Sequence, residues 1–140
     1  MKYFQIEPDV AGGLGGQTVI DTSKIPPLVS RLHYTFEAWF GDEILETFPC
    51  FIVTKALADD IVRDRLSGVV FDDVIIDGSE NFEALYPATV LPPFLWMKVE
   101  GRERKDDFFI SSDRRLAVSE QAWKIIEPRA PNCRVIEVQE

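Results

Sequence analysis

The sequence predicts a single α+β domain, with a mixed or mainly antiparallel sheet and two or three short helices. Short apolar runs with alternating polar residues recur along the chain, as expected for half-buried strands. Thr54 and Ser119 each stand between such a run and a stretch with apolar residues at helical spacing. A chain of 140 residues is the usual size of one domain, so residues 1–140 are expected to form one unit.

The first fifty residues predict two strands separated by a long irregular segment. Residues 2–6 alternate as a strand does, whereas the glycine run at 11–17 predicts a loop. The two prolines that follow Ile25 exclude a helix and a central strand at that point. Residues 32–36 predict the second strand, and residues 42–47 predict a helical turn.

The segment from residue 50 predicts a strand, a capped helix and another strand. Residues 50–53 are apolar, and Thr54 occupies the N-cap position of the helix. The predicted apolar face of this helix comprises Leu57, Ile61, Val62 and Leu66. Gly68 is placed to end the helix, and residues 69–77 predict the next strand.

The remaining chain predicts a second set of strands and helices. Ser79 is expected to cap a short helix that stops before Pro87. Residues 94–99 are the strongest β segment, and residues 108–110 predict the returning strand of a hairpin. Further elements are expected as a strand at 116–118, a helix after Ser119 that stops at Pro128, and a strand at 134–138.

A weak repeat relates residues 51–72 to residues 116–137, which align without a gap. Val53 falls on Val118 and Ile61 on Ile126, so both segments predict a strand, a hydroxyl cap, a helix and a strand. The chain therefore contains two β-α-β-like units. Internal duplication explains this, but the sequence favours the simpler view that capping and helical periodicity impose the pattern.

The predicted core follows from these elements. Replacing its residues by Ala is expected to destabilise the fold, because large side chains there exclude water. Its members are Phe51, Val53, Leu57, Ile61, Val70, Val74, Leu95, Met97, Val118 and Ile126.

The charge of the chain limits its partners. A formal net charge of −9 repels nucleic acid and anionic lipid and attracts basic proteins. No apolar run is long enough to span a membrane, and the N-terminus lacks the apolar segment of a signal peptide. We therefore expect a cytoplasmic protein in which Cys50 and Cys133 are reduced.

No catalytic or metal-binding constellation is recognisable in the sequence, so we expect no enzyme and no cofactor. The glycine run has Thr18 where a dinucleotide fingerprint requires its third glycine, and no P-loop lysine follows. His33 is the only histidine, and Cys50 lacks a setting that would lower its pKa for a thiol–imidazole dyad. One histidine and two distant cysteines also exclude a structural zinc site.

Five segments together resemble a family of small bacterial proteins that was formerly described as a domain of unknown function. This family, typified by a myxobacterial member, is now grouped with the immunity proteins of polymorphic-toxin systems. The five segments are Tyr3–Pro8, Pro49–Thr54, Ser67–Val74, Pro93–Val99 and the stretch from Asp106 to Ser119. The resemblance covers most of residues 1–138 and implies a cytoplasmic inhibitor of a cognate toxin that is encoded nearby. It implies no functional residue.

A partner-binding surface is predicted where acids lie near exposed turns and beside an aromatic pair. Acids steer a basic partner, and an aromatic side chain anchors it. The candidate residues are Trp39, Phe40, Asp42, Glu43, Asp72, Asp73, Asp77 and Glu80. The alternative hypothesis is a small ligand-binding or enzymatic domain in which the glycine-rich loop covers a carboxylate site.

Overall fold

The computed structural model describes residues 2–140, and within them it contains thirteen strands, three α-helices and one 3-10 turn. The strands are β1 (Tyr3–Glu7), β2 (Gly12–Leu14), β3 (Val19–Asp21), β4 (Leu28–Arg31), β5 (His33–Phe36), β6 (Ile44–Thr47), β7 (Cys50–Thr54), β8 (Val69–Asp72), β9 (Ile75–Gly78), β10 (Phe94–Val99), β11 (Phe108–Ile110), β12 (Leu116–Ser119) and β13 (Arg134–Gln139). The helices are α1 (Lys55–Arg63), α2 (Glu80–Leu85) and α3 (Glu120–Ile126), and the 3-10 turn is Glu127–Arg129. The predicted α+β fold is confirmed.

Two four-stranded antiparallel sheets have equivalent strand orders. Sheet I has the order β6–β7–β10–β8, and sheet II has the order β11–β12–β1–β13. In each sheet a hairpin leads into a helix and then into a strand on the far side of a central strand. The two predicted β-α-β-like units are therefore present, each with a central strand, β10 or β1, inserted between its two parallel strands.

The strand register of the two sheets shows the same correspondence as the sequence repeat. Thr54 lies opposite Phe94 in sheet I, and Ser119, 65 positions after Thr54, lies opposite Tyr3 in sheet II. Capping and helical periodicity do not dictate strand order or register. The shared arrangement therefore supports an internal duplication over the simpler explanation.

The main core lies between the two sheets. Helix α1 packs on sheet I, α3 packs on sheet II, and the two helices contact each other. The predicted core residues that are buried here are Phe51, Val53, Leu57, Ile61, Met97, Val118 and Ile126. Leu95 is half-buried against the same core, and Val74 is half-buried against a second core.

Two residues that were predicted to lie on buried apolar faces are exposed instead. Val70 is 46% exposed because it lies on β8, an edge strand of sheet I. Val62 is 63% exposed, although Ile61 beside it is buried, because α1 is covered along a narrow stripe only. The end of α1 also differs from the prediction.

Helix α1 ends before Gly68, at a residue that the sequence does not single out. Arg65 adopts a positive φ of 56°, its N–H donates to the carbonyl of Val62, and the N–H of Leu66 donates to the carbonyl of Ile61. This pair of bonds is a Schellman motif, which satisfies carbonyls at a helix end. Gly68 instead lets another strand approach, since a Cβ there would lie 2.2 Å from the carbonyl oxygen of Phe108.

The predicted helical turn at 42–47 is wrong, because residues Ile44–Thr47 form β6 and pair with β7. Ile44 faces the main core and Leu45 faces the second core, so consecutive apolar residues are buried on opposite sides of a strand. The predicted hairpin of residues 94–99 with 108–110 is also wrong. Strand β11 pairs with β12, and β10 takes the centre of sheet I.

Residues 69–77 do not form one strand. The chain leaves sheet I after β8 and enters sheet III, a three-stranded sheet of order β2–β5–β9 in which β9 runs parallel to β5. The glycine run is likewise not all loop, since Gly12–Leu14 forms β2. The second core, which holds side chains of sheet III, α2 and the outer face of sheet I, includes Tyr34, Phe36, Ile52, Phe82 and Trp96.

The segment predicted to be irregular between residues 6 and 32 also contains β3 and β4, so that prediction is wrong there. These strands form a two-stranded ribbon, the arm, that pairs with no other strand of residues 2–140. The connection between its strands contains Ile25, Pro26 and Pro27, as expected for prolines excluded from a helix and a central strand. Ile25 is 81% exposed, so the tip of the arm is open to solvent.

Candidate functional site

The predicted aromatic pair lies beside an open pocket of about 340 Å³, the Trp39 pocket. Its lining residues are Trp39, Gly41, Glu43, Thr54, Ala56, Pro92 and Pro93. The indole N–H of Trp39 donates to the carbonyl of Asp42 at 2.8 Å, and its ring meets that of Phe94 edge-on. Trp39 is thus a fixed wall of the pocket. Phe40 is 62% exposed and free to contact another molecule.

Asp42 is fully buried and belongs to the interior of the fold. Its carboxylate accepts hydrogen bonds from the backbone N–H and the side-chain amide of Asn132, at 2.9 and 2.7 Å. Asn132 follows α3, so this contact joins the unit of sheet I to the unit of sheet II. Asp42 is therefore no part of an open binding surface.

Glu43 supports the N-cap of α1. The hydroxyl of Thr54 donates to the Glu43 carboxylate at 2.6 Å and accepts the N–H of Leu57 at 3.1 Å. A carboxylate near a helix N-terminus is also favoured by the helix dipole. Glu43 can still contact a ligand in the Trp39 pocket, which it lines, but its first role is within the fold.

Asp107 plays the same part in the second unit and was not among the candidate residues predicted from the sequence. The hydroxyl of Ser119 donates to Asp107 at 2.7 Å and accepts the N–H of Ala122 at 3.2 Å. Asp107 also accepts the backbone N–H of Ser67, which follows α1, at 2.8 Å. The sequence pattern that could have identified Asp107 is an acidic residue upstream of the N-cap Ser or Thr, which occurs in both halves of the repeat.

The four other predicted acids are exposed, but two of them have internal partners. Asp72 accepts a hydrogen bond from Lys98 at 2.8 Å, and this bond lowers the pKa of its carboxyl group. Asp77 lies 3.0 Å from Nε2 of His33. Asp73 and Glu80 form no ion pair within residues 2–140, so they are available to a partner.

The environment of His33 explains the glycine run. Its Nδ1 accepts the backbone N–H of Gln17 at 3.1 Å, and its ring occupies the space of a Cβ at Gly15, at 2.2 Å. Asp77 and Thr35 both approach Nε2, so the ring cannot relay a proton between them as a triad histidine does. The buried ring pins the loop, an arrangement that does not favour a mobile lid.

Both cysteines are free, and burial raises the pKa of each thiol to about 12. We expect neither Cys50 nor Cys133 to react appreciably with a disulfide reagent in the native protein at pH 8, because the thiolate is the reacting species. The denatured, non-reduced protein should release two thiols. Rapid labelling of the native protein would contradict the buried setting, and no thiol after denaturation would show a disulfide.

Comparison with protein-family models, with curated proteins and with solved structures finds no match for the chain. Within residues 2–140, no helix has the length and apolar character needed to cross a membrane. No group of three or more His, Cys, Asp or Glu side chains in that range is arranged to hold a metal ion. A functional proposal for this chain therefore rests on its surface and on the resemblance of its sequence to immunity proteins.

Proposed function

We propose that the protein is a toxin-neutralising immunity protein, which binds a cognate bacterial toxin in the cytoplasm and inhibits it by contact, without catalysis. The single observation that carries this proposal is the exposed ring of Phe40 beside the Trp39 pocket. Aromatic side chains next to a pocket are typical anchors of protein interfaces. The resemblance of the sequence to immunity proteins gives the partner its class.

Charge supports the same surface. The hydroxyl of Ser79 donates to Glu37 at 2.8 Å, which places the start of α2, with Glu80, beside the segment leading to Trp39 and Phe40. Together with a net charge of −9, these exposed acids favour the approach of a basic partner. The acids steer the encounter, and Phe40 stabilises the complex once formed.

The test is surface plasmon resonance with the product of the neighbouring toxin-like gene. Replacing Phe40 by Ala should weaken binding by at least about tenfold, mainly through faster dissociation. Reversing Asp73 and Glu80 to Lys should slow association, and added salt should slow association of the wild type. Val62→Ala, on the exposed side of α1, serves as the control and should change neither rate.

Two results would contradict the proposal. The first is a wild-type protein that does not bind the neighbouring product or leaves the toxin fully active. The second is binding that Phe40→Ala and the charge reversals leave unchanged, which would remove this surface from the interface.

A further inference from the structure

Three neighbouring cavities, together called the trough, lie on the side of the molecule that carries the arm. Their volumes are about 350, 70 and 360 Å³. The first and middle cavities share Pro26, Pro49, Phe51 and Ile110. The middle and last cavities share Glu46, Phe48 and Arg114. Because adjacent cavities share lining residues, an elongated occupant that follows this surface would contact all three.

The walls of the first and middle cavities are mostly apolar, whereas five of the nine residues that line the last cavity are charged. The arm supplies Pro26, Pro27 and Leu28 on one side, and the first cavity also contacts Trp96. Several apolar side chains at the trough are open to solvent: Leu28 is 60% exposed, Phe48 52% and Ile110 39%. A run of exposed apolar side chains in a concave surface is a common feature of protein-binding sites.

Glu46 supplies a carboxylate where the middle cavity meets the last one. Its side chain is half-buried and makes no hydrogen bond or ion pair within residues 2–140, whereas Glu7 in the same cavity pairs with Arg115 at 3.1 Å. Burial raises the pKa of Glu46, the charge of Glu7 adds to this effect, and Arg115 opposes it. A cation placed at Glu46 would replace the water that this carboxylate has lost.

Among residues 2–140, no basic residue that lines the trough forms an ion pair with Glu46, and Arg115 pairs instead with Glu7 and Asp113. Lys98, in the first cavity, pairs with Asp72 and lies 4.4 Å from the centre of the Trp96 ring. Arg114 is exposed on the wall of the middle and last cavities and forms no ion pair within the described chain. The carboxylate of Glu46 is therefore open to a basic group from outside.

We propose that the trough binds an extended segment of the partner protein in which apolar side chains flank a lysine or arginine. The basic side chain pairs with Glu46, one apolar neighbour contacts Phe48 and Ile110, and another enters the cavity beside Trp96 and the arm. The inference rests on the proposed function for the nature of the partner. It places contacts on a surface other than that of Phe40.

The first experiment is selection of peptides from a displayed library of random dodecapeptides on the immobilised wild-type protein. Enriched peptides should carry Lys or Arg between apolar residues. They should bind Glu46→Gln and Phe48→Ala at least tenfold more weakly than the wild type in a fluorescence-polarisation titration. Two controls outside the trough, Phe40→Ala and Val62→Ala, should retain wild-type affinity, and thermal unfolding should verify that every variant is folded.

Several outcomes of this selection would overturn the inference. They are the absence of any enriched peptide, enriched peptides without a basic residue, and full affinity for Glu46→Gln and Phe48→Ala. Full affinity for Glu46→Gln alone would equally overturn it, because the carboxylate is then not the recognition group.

A second experiment separates the trough from the proposed function. The same variants are titrated against the neighbouring toxin-like protein. A tenfold loss with Glu46→Gln and with Phe48→Ala supports the trough. Wild-type affinity for both variants overturns the trough and leaves the proposed function standing. Failure of the wild type to bind this protein, with peptides still selected at Glu46, rejects the proposed function and retains the peptide-binding trough.

Discussion

Replacing Leu57 by Ala is expected to lower the free energy of unfolding by about 2–5 kcal/mol. Leu57 is fully buried in the core between the two sheets, where α1 contacts α3. The substitution removes apolar contacts and leaves a cavity that packed strands on both sides cannot fill. A loss of this size is a large part of the stability of a domain of this length.

Urea denaturation of Leu57→Ala and of the matched control Val62→Ala checks this prediction. Val62 lies on the same helix but is 63% exposed, so its replacement should change stability by no more than about 0.5 kcal/mol. Equal effects of the two substitutions would mean that α1 does not pack through the face that includes Leu57.

Replacing Asp42 by Ala is expected to cost about 3 kcal/mol, since a hydrogen bond to a charged group contributes roughly 1.5–3 kcal/mol. The buried carboxylate holds both donors of Asn132, and its loss leaves the backbone N–H of Asn132 without a partner. The contact also joins the two units, so the substitution loosens their junction.

Asp73→Ala is the control for Asp42→Ala, because Asp73 is exposed and its carboxylate has no partner within residues 2–140. Thermal or urea unfolding should separate the two variants clearly, with Asp73→Ala close to the wild type. A stability of Asp42→Ala within about 0.5 kcal/mol of the wild type would contradict a structural role for this carboxylate.

Local signals in the sequence correctly predict where the three α-helices begin. The hydroxyls of Thr54, Ser79 and Ser119 each accept the N–H three residues later, as N-cap side chains do. Capping depends on residues within one turn of the helix, so the local sequence is enough to predict where a helix begins. The same is true of the apolar spacing that places Leu57 and Ile61 in the core.

Strand order could not be predicted in this way, because it depends on partners distant in the chain. Strand β10 reads as half of a hairpin with residues 108–110, yet it is apolar on both faces and is enclosed between β7 and β8. Ile44 and Leu45 form a short apolar run, a pattern that occurs in both helices and strands. Only the burial of these two residues on opposite sides of the chain identifies a strand.

The candidate site shows the same limit. Composition identifies acids but not which of them are exposed, so Asp42 in the interior and Asp73 at the surface read alike. Glu43 and Asp107 differ from the other acids because each accepts a hydrogen bond from the hydroxyl group of an N-cap residue. Glu46 was not singled out, because its half-buried setting arises only when the arm, β6 and the 111–115 turn meet.

The central position of β1 in sheet II has a consequence for the order of folding. Sheet I joins residues 44–99, whereas β1 must pair with residues 116–119 and 134–139. Contacts between such distant segments require closure of a long loop, which slows their formation. During synthesis on the ribosome, β1 emerges long before its two neighbours, β12 and β13, while sheet I can already assemble. Strand β1 is thus made before its partners but is among the last of the described strands to pair.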